Sequence, residues 1–272
     1  MQGIKTFIPT ATKVAYINKL LKVGYHSIDF GSFVNPEVIP QMADTARVLD
    51  SLELNNTSSK LISIIANERG AKDACEFQQI NYLGFPFSVS ETFQRRNANS
   101  TIPEAVERVK KINVLAQQHN KELILYISMG FGNPYGDEYS PQVVEKWVSE
   151  LSQLGIKTFM LSDTVGVAEP TIIRYLFETL IPAFPQLEIG AHLHTAPHNW
   201  KVKIDAAYQS GCTRFDTAIR GYGGCPMAKD DLLGNMPTEN LLNYFTEEQL
   251  GANFSIPAFE EALRESMIVF PH

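Results

Sequence analysis

The sequence predicts an α/β fold, a TIM-type (β/α)8 barrel that is one strand short, and three observations predict it. Short apolar runs rich in Ile, Val, Phe and Leu alternate with amphipathic helical patterns along the whole chain. The connections between runs are long enough to require parallel strands, with helices covering the outer face of the sheet. No run is followed by GxGxxG or GxxxxGK, the phosphate loop that a doubly wound sheet ordinarily carries after its first strand.

Seven runs read as buried strands: HSIDFGSF (26–33), KLISIIAN (60–67), QINYLGFPFSV (79–89), ELILYISMGF (122–131), KTFMLSDT (157–164), EIGAHLHT (188–195) and TRFDTAIRG (213–221). Between them, Thr101 stands three residues ahead of Glu104 with a proline between, the signature of a capping box. SPQVVEKWVSELSQLG starts on Ser140-Pro141 and stops at Gly155, which is the N-terminal proline, C-terminal glycine order of a helix. A closed barrel has about eight strands. This chain opens instead on PTATKVAYINKLLKVG, where Val14, Ile17 and Leu21 share one helical face, so the first β-strand is the one expected to be missing. The expected organisation is one barrel domain over residues 1–272, with a loop for chemistry near 221–236 and helices within 238–270.

A chain of 272 residues with 44% hydrophobic content can bury a substantial core. Its 23 Lys and Arg against 30 Asp and Glu give a formal charge of −7, which supplies no electrostatic reason to bind nucleic acid or an anionic membrane. Cys75, Cys212 and Cys225 lie far apart without a CxxC pair, so neither a disulfide scaffold nor a zinc ribbon is suggested, and a reducing cytoplasm is the expected location. The first residues lack the order of a signal peptide, and no run approaches the ~20 apolar residues of a membrane helix.

In a parallel barrel the reactive groups sit where strands end. His192 and His194 are two residues apart on one strand, so both imidazoles point to one side at the barrel mouth, a pairing that suits a divalent metal. With nitrogen and oxygen donors in view, Mg²⁺ or Mn²⁺ leads, with Zn²⁺ as a further candidate. Asp163 ends its strand and reads as a base, a ligand or an N-cap. Asp29 lies in an apolar strand, where an unpaired carboxylate is costly, so it implies a cationic partner or a proton role. Cys225, in GYGGCPMA, carries a thiol on a glycine-rich loop and reads either as inert packing or as a proton donor.

These stretches resemble the 3-hydroxy-3-methylglutaryl-CoA lyase family of metal-dependent TIM-barrel enzymes. The resemblance rests on DFGSFVNPEVIPQMADT, LSDTVGV, GAHLHT and GYGGCPMAKDDLLGNMPTENLL and runs along nearly the whole chain. The HxH pair is shared with Claisen-type synthases, whereas the GGCP loop with a following GN is far more specific to the lyase. The resemblance implies His192, His194 and Asn235 as metal ligands, and Cys225 as the loop acid. It implies a catalytic role for Asp163, and for Asp29 at a position where the family usually has Glu. It further implies Gln2, Lys5, Asn67 and Thr164 as groups that hold the acyl-CoA. The family's Arg-Asp pair, one metal ligand and one catalytic arginine, precedes a segment like MQGIK and falls before residue 1 of this sequence, in agreement with the strand count.

The implied chemistry is retro-Claisen cleavage of 3-hydroxy-3-methylglutaryl-CoA to acetyl-CoA and acetoacetate, with His192 or Asp163 as base and Cys225 as acid. Loss of an arginine that stabilises the reacting oxygen is expected to weaken cleavage by ~3 kcal/mol or more. The alternatives are a related acyl-CoA aldolase or Claisen synthase, and a non-catalytic acyl-CoA-binding barrel. Expected partners are an acyl-CoA substrate and a second copy in a homodimer, with no nucleic acid and no membrane.

Overall fold

The computed structural model describes residues 1–223, 233–248, 250 and 254–270. Seven parallel strands form one curled sheet: β1 (Ser27–Ser32), β2 (Lys60–Ile64), β3 (Ile80–Ser88), β4 (Glu122–Ser128), β5 (Thr158–Ser162), β6 (Glu188–His192) and, after the two-residue β7 (His194–Thr195), β8 (Phe215–Asp216). They pair in the order β1-β2-β3-β4-β5-β6-β8. The short β7 pairs antiparallel with β9 (Gly234–Asn235) outside that sheet. Among the described residues β1 and β8 are the two edges, as the seven apolar runs predict.

Helices cover the outer face: α1 (Thr10–Leu21), α2 (Thr45–Asp50), α3 (Glu68–Cys75), α4 (Glu91–Ala98), α5 (Ile102–Gln118), α6 (Pro141–Ser152), α7 (Pro170–Ala183), α8 (Trp200–Gln209), α9 (Thr238–Glu247) and α10 (Ile256–Val269). The capping box at the start of α5 is formed, with the Thr101 hydroxyl accepting from the Glu104 amide and Glu104 accepting from the Thr101 amide. The period of two along each strand divides the side chains. Leu83, Phe85, Phe87, Leu125, Ile127, Phe159 and Leu161 face the helices in the main core, whereas Ile62, Ile124 and Met160 form a small lumen cluster with Tyr82 and Tyr126. The lumen is tight: a Cβ on Gly190 would stand 2.6 Å from the Met160 sulfur, so a larger residue there would have to displace the Met160 side chain.

Each of the seven strands ends before its apolar run does, by one residue in β1 and β3 and most in β8, which keeps only Phe215–Asp216 of the run 213–221, and three of these ends have a visible local setting. β2 stops at Ile64, and Asn67 becomes the N-cap of α3, its side chain accepting from the Gly70 amide at 3.0 Å. β4 stops because Met129 takes a left-handed φ of 58°. The run 188–195 breaks after His192, where the chain leaves the barrel sheet and turns to β9.

A second apolar cluster joins α1 and α10 beneath the N-terminal arm, with Met1 and Ile4 packed against it. One side chain clamps this arm. The Gln41 carbonyl accepts from the Ile8 amide at 3.1 Å, and its amide nitrogen donates to the carbonyls of Ile4 at 2.9 Å and Thr6. Beside it the buried Lys13 ammonium donates to Asp44 at 2.6 Å.

Candidate active site at the barrel mouth

The strand break after His192 creates the site. His192 ends β6 and is the register partner of Asp216 on β8. His194, two residues on, is the register partner of Asn235 on β9. The chain thus brings two imidazoles, a carboxylate and a carboxamide from four short strands to one place. The two imidazole centroids are 5.6 Å apart.

Each imidazole has its own surroundings. The His192 Nδ1 lies 3.1 Å from an Asp216 carboxylate oxygen, and its ring meets the Tyr126 ring edge to face at 5.7 Å. His194 is buried, and burial with the neighbouring His192 pushes its pKa down to about 3, so it is a neutral imidazole at ordinary pH. Among the described residues its buried Nδ1 has no hydrogen-bond partner. The Asn235 side-chain nitrogen donates to the Tyr222 carbonyl at 3.0 Å, which leaves the amide oxygen as an acceptor beside the His194 ring.

These residues fit a divalent metal. A buried, unpartnered imidazole nitrogen is costly unless something coordinates it, and a neutral histidine is the form that ligates. His192 and the Asn235 oxygen complete a nitrogen and oxygen donor set suited to such an ion. Among the described residues no three His, Cys, Asp or Glu side chains cluster with ligand geometry, and the third donor beside the two imidazoles is an amide.

The remaining candidates are distributed unevenly. Asp29 projects into the lumen, where solvent reaches it, yet the surrounding barrel wall pushes its carboxyl up to about 7, with the Met1 amine opposing the rise and Asp216 adding to it. Asp163 is sealed: one carboxylate oxygen accepts from the Lys203 ammonium at 2.7 Å and the other from the Ala168 amide at 2.9 Å. Burial raises its pKa while Lys203 opposes the rise. The Thr164 hydroxyl accepts from the Met129 amide at 2.8 Å and so fixes the end of β4. Gln2 and Lys5 are exposed on the clamped arm, and Asn67 caps α3. Cys225 lies outside the described residues.

The site also holds residues that the motif search does not single out. Asp216 stands in the apolar run RFDTA, and the cost argument that selects Asp29 applies to it equally. Lys203 falls on the same helical face as Trp200, Ile204 and Ala207, and a lysine at a core-facing spacing signals a buried partner. Tyr126 has no such signal, because aromatic residues are ordinary in strands.

Residues 1–261 match the family profile described as HMGL-like. The chain belongs to that family. Members of the HMGL-like family are in general metal-dependent. The chain is 30% identical over 256 residues to a hydroxymethylglutaryl-CoA lyase of Bacillus subtilis, covering 94% of this chain and 85% of that protein. It is 31% identical over 242 residues to a 3-hydroxy-3-isohexenylglutaryl-CoA/hydroxymethylglutaryl-CoA lyase of Pseudomonas aeruginosa, covering 89% of this chain and 80% of that protein. An HMG-CoA lyase from A. baumannii, solved in complex with coenzyme A and 3-methylmalate, superposes with a TM-score of 0.91 at 28% identity, covering 100% of this chain and 88% of the other.

Proposed function

We propose that this HMGL-like chain is a carbon-carbon lyase that cleaves a 3-hydroxyacyl-CoA of the 3-hydroxy-3-methylglutaryl type into acetyl-CoA and a 3-oxo acid. The carrying observation is the break between β6 and β7, which sets His194 against Asn235 while His192 stays on the barrel sheet. The relatives' names support the reaction class, and the matched CoA complex supports the acyl carrier.

His192, His194 and Asn235 would hold the ion, with Mg²⁺ or Mn²⁺ the best match to one oxygen and two nitrogen donors and Zn²⁺ the alternative. When bound, it supplies Lewis acidity that makes the substrate C3 hydroxyl easier to deprotonate. Asp29 is the carboxylate suited to take that proton, because it faces the lumen open to solvent and its pKa lies near neutrality. As the proton leaves, the C3 oxygen forms the ketone of the departing 3-oxo acid and the C2–C3 bond breaks. The electron pair stays on C2 as the acetyl-CoA enolate. Cys225 is the proposed donor of the proton that converts this enolate to acetyl-CoA. Asp163 is less suited to move a proton, since both carboxylate oxygens are already engaged.

Gln2 and Lys5 extend from the arm that Gln41 clamps, and are proposed with Asn67 and Thr164 to position the acyl-CoA. A cytoplasmic location and a homodimer complete the proposal. The test is incubation of the purified protein with 3-hydroxy-3-methylglutaryl-CoA and Mn²⁺ or Mg²⁺, with acetyl-CoA and acetoacetate measured as products. Equimolar release that disappears in Cys225→Ala and Asp29→Asn supports the reading. Consumption of acetyl-CoA with a 2-oxo acid, and no cleavage, would replace it with a synthase.

A further inference from the structure

We infer that Asp216 is a positioning residue that fixes the tautomer and rotation of His192, so that the Nε2 lone pair of this imidazole is presented to the metal site. The inference rests on the reading of His192 as a ligand.

Three observations carry it. The first is register: β6 and β8 pair at His192 and Asp216, so the two side chains leave adjacent parallel strands at the same level. The second is contact, since the Asp216 oxygen and the His192 Nδ1 stand 3.1 Å apart with both side chains partly exposed, at 23% and 30%. Side chains with that much accessible surface would ordinarily be free to rotate, so a shared hydrogen bond restricts them. The third is enclosure, where the Tyr126 ring stands edge to face with the His192 ring at 5.7 Å.

The chemistry follows from the acceptor. An ionised carboxylate only accepts, so the hydrogen on His192 must sit on Nδ1 and the lone pair on Nε2. A carboxylate behind a ligating histidine also raises the basicity of the ring, and loss of such a partner typically weakens metal affinity by about 10- to 100-fold. His194 differs: it is buried, and among the described residues its Nδ1 has no hydrogen-bond partner. Of the two histidines, His192 is therefore the one whose donor atom depends on a removable neighbour.

The experiment compares full-length protein with Asp216→Asn, Asp216→Ala, Asp216→Glu and His192→Ala, using Mn²⁺ titration by calorimetry and ¹⁵N NMR of the metal-free imidazoles. The expected result is Mn²⁺ affinity reduced at least tenfold in Asp216→Asn and Asp216→Ala, with partial recovery in Asp216→Glu. The NMR of the unaltered protein is expected to show His192 protonated on Nδ1, and the Asn variant to lose that preference. Mn²⁺ affinity within twofold of the unaltered protein in Asp216→Asn, while His192→Ala weakens binding, overturns the inference alone. Unchanged binding in His192→Ala overturns the ligand reading and the inference with it. The metal-free NMR result separates positioning from a general loss of structure, because a variant that merely loosens the fold shifts resonances throughout the barrel.

Discussion

Two carboxylates sit near the top of this barrel, each beside a nitrogen base, and they are used in opposite ways. Asp163 follows β5 and meets Lys203 with both side chains almost wholly buried. Asp216 ends β8 and meets His192 where both remain partly open to solvent. Lys203 also donates to the carbonyls of Gly166 and His194, so the sealed pair ties the turn after β5 and the strand carrying His194 to α8. Among the described residues the open pair has no side-chain hydrogen bond beyond its own, with the Tyr126 ring against His192, and one imidazole nitrogen is left without a partner. The difference teaches that proximity of a carboxylate to the mouth does not make it chemical. The deciding feature is how many of its lone pairs the protein already occupies.

The harshest way to break the comparison is Lys203→Met. It leaves Asp163 buried without its cation, and unfolding free energy from denaturant titration is expected to fall by about 3–5 kcal/mol. Adding Asp163→Asn to that variant is expected to recover part of the loss. If the double variant also recovers lyase activity, Asp163 acts through the fold, and if stability returns without activity, Asp163 has a direct chemical part.

His194 lies between the two pairs and gives the next effect. Its pKa is about 3 in the folded protein against an ordinary 6.5, so the unfolded chain binds the extra proton between those values. The stabilising contribution is complete above pH 6.5 and is lost as pH falls toward 3, with a slope of up to ~1.4 kcal/mol per pH unit. Denaturant titrations at pH 5 and 7.5 should show this slope in the metal-free protein, and His194→Gln should flatten it.

Asp216→Asn sharpens the contrast from the other side. A partly exposed pair contributes about 0–1 kcal/mol, so this variant should keep its stability while losing metal affinity. A stability loss as large as that of Lys203→Met would erase the distinction between the two carboxylates.

The smallest effect is expected at Asp29. Its carboxyl is raised, so the folded protein holds a proton that the unfolded chain has released between the ordinary carboxylate range and about pH 7. The associated stability is present at low pH and is lost as pH rises through about 7. Asp29→Asn should therefore gain stability relative to the parent at pH 8 and not at pH 5. Solvent in the lumen screens the charge, which keeps the difference small. Thermal melts at the two pH values read it, and a larger gain at pH 5 would reverse the assigned sign.

Much of the fold and part of the site were legible in the residues themselves. The seven apolar runs mark the strands, because burial on both faces of a parallel sheet selects apolar residues along nearly the whole run. The capping box at Thr101 was equally readable, since it depends on side chains three residues apart. HxH at a strand end indicated two imidazoles on one side, and they do stand side by side. The sequence by itself therefore determined what local spacing controls: which runs become strands, where helices begin, and that His192 and His194 are neighbours. Only the tertiary structure decided what those groups meet. The break after His192, the registers with Asp216 and Asn235, and the Lys203 bond that occupies Asp163 join residues between 24 and 41 positions apart. Contacts over such distances are set by strand pairing and helix packing, which no local pattern encodes.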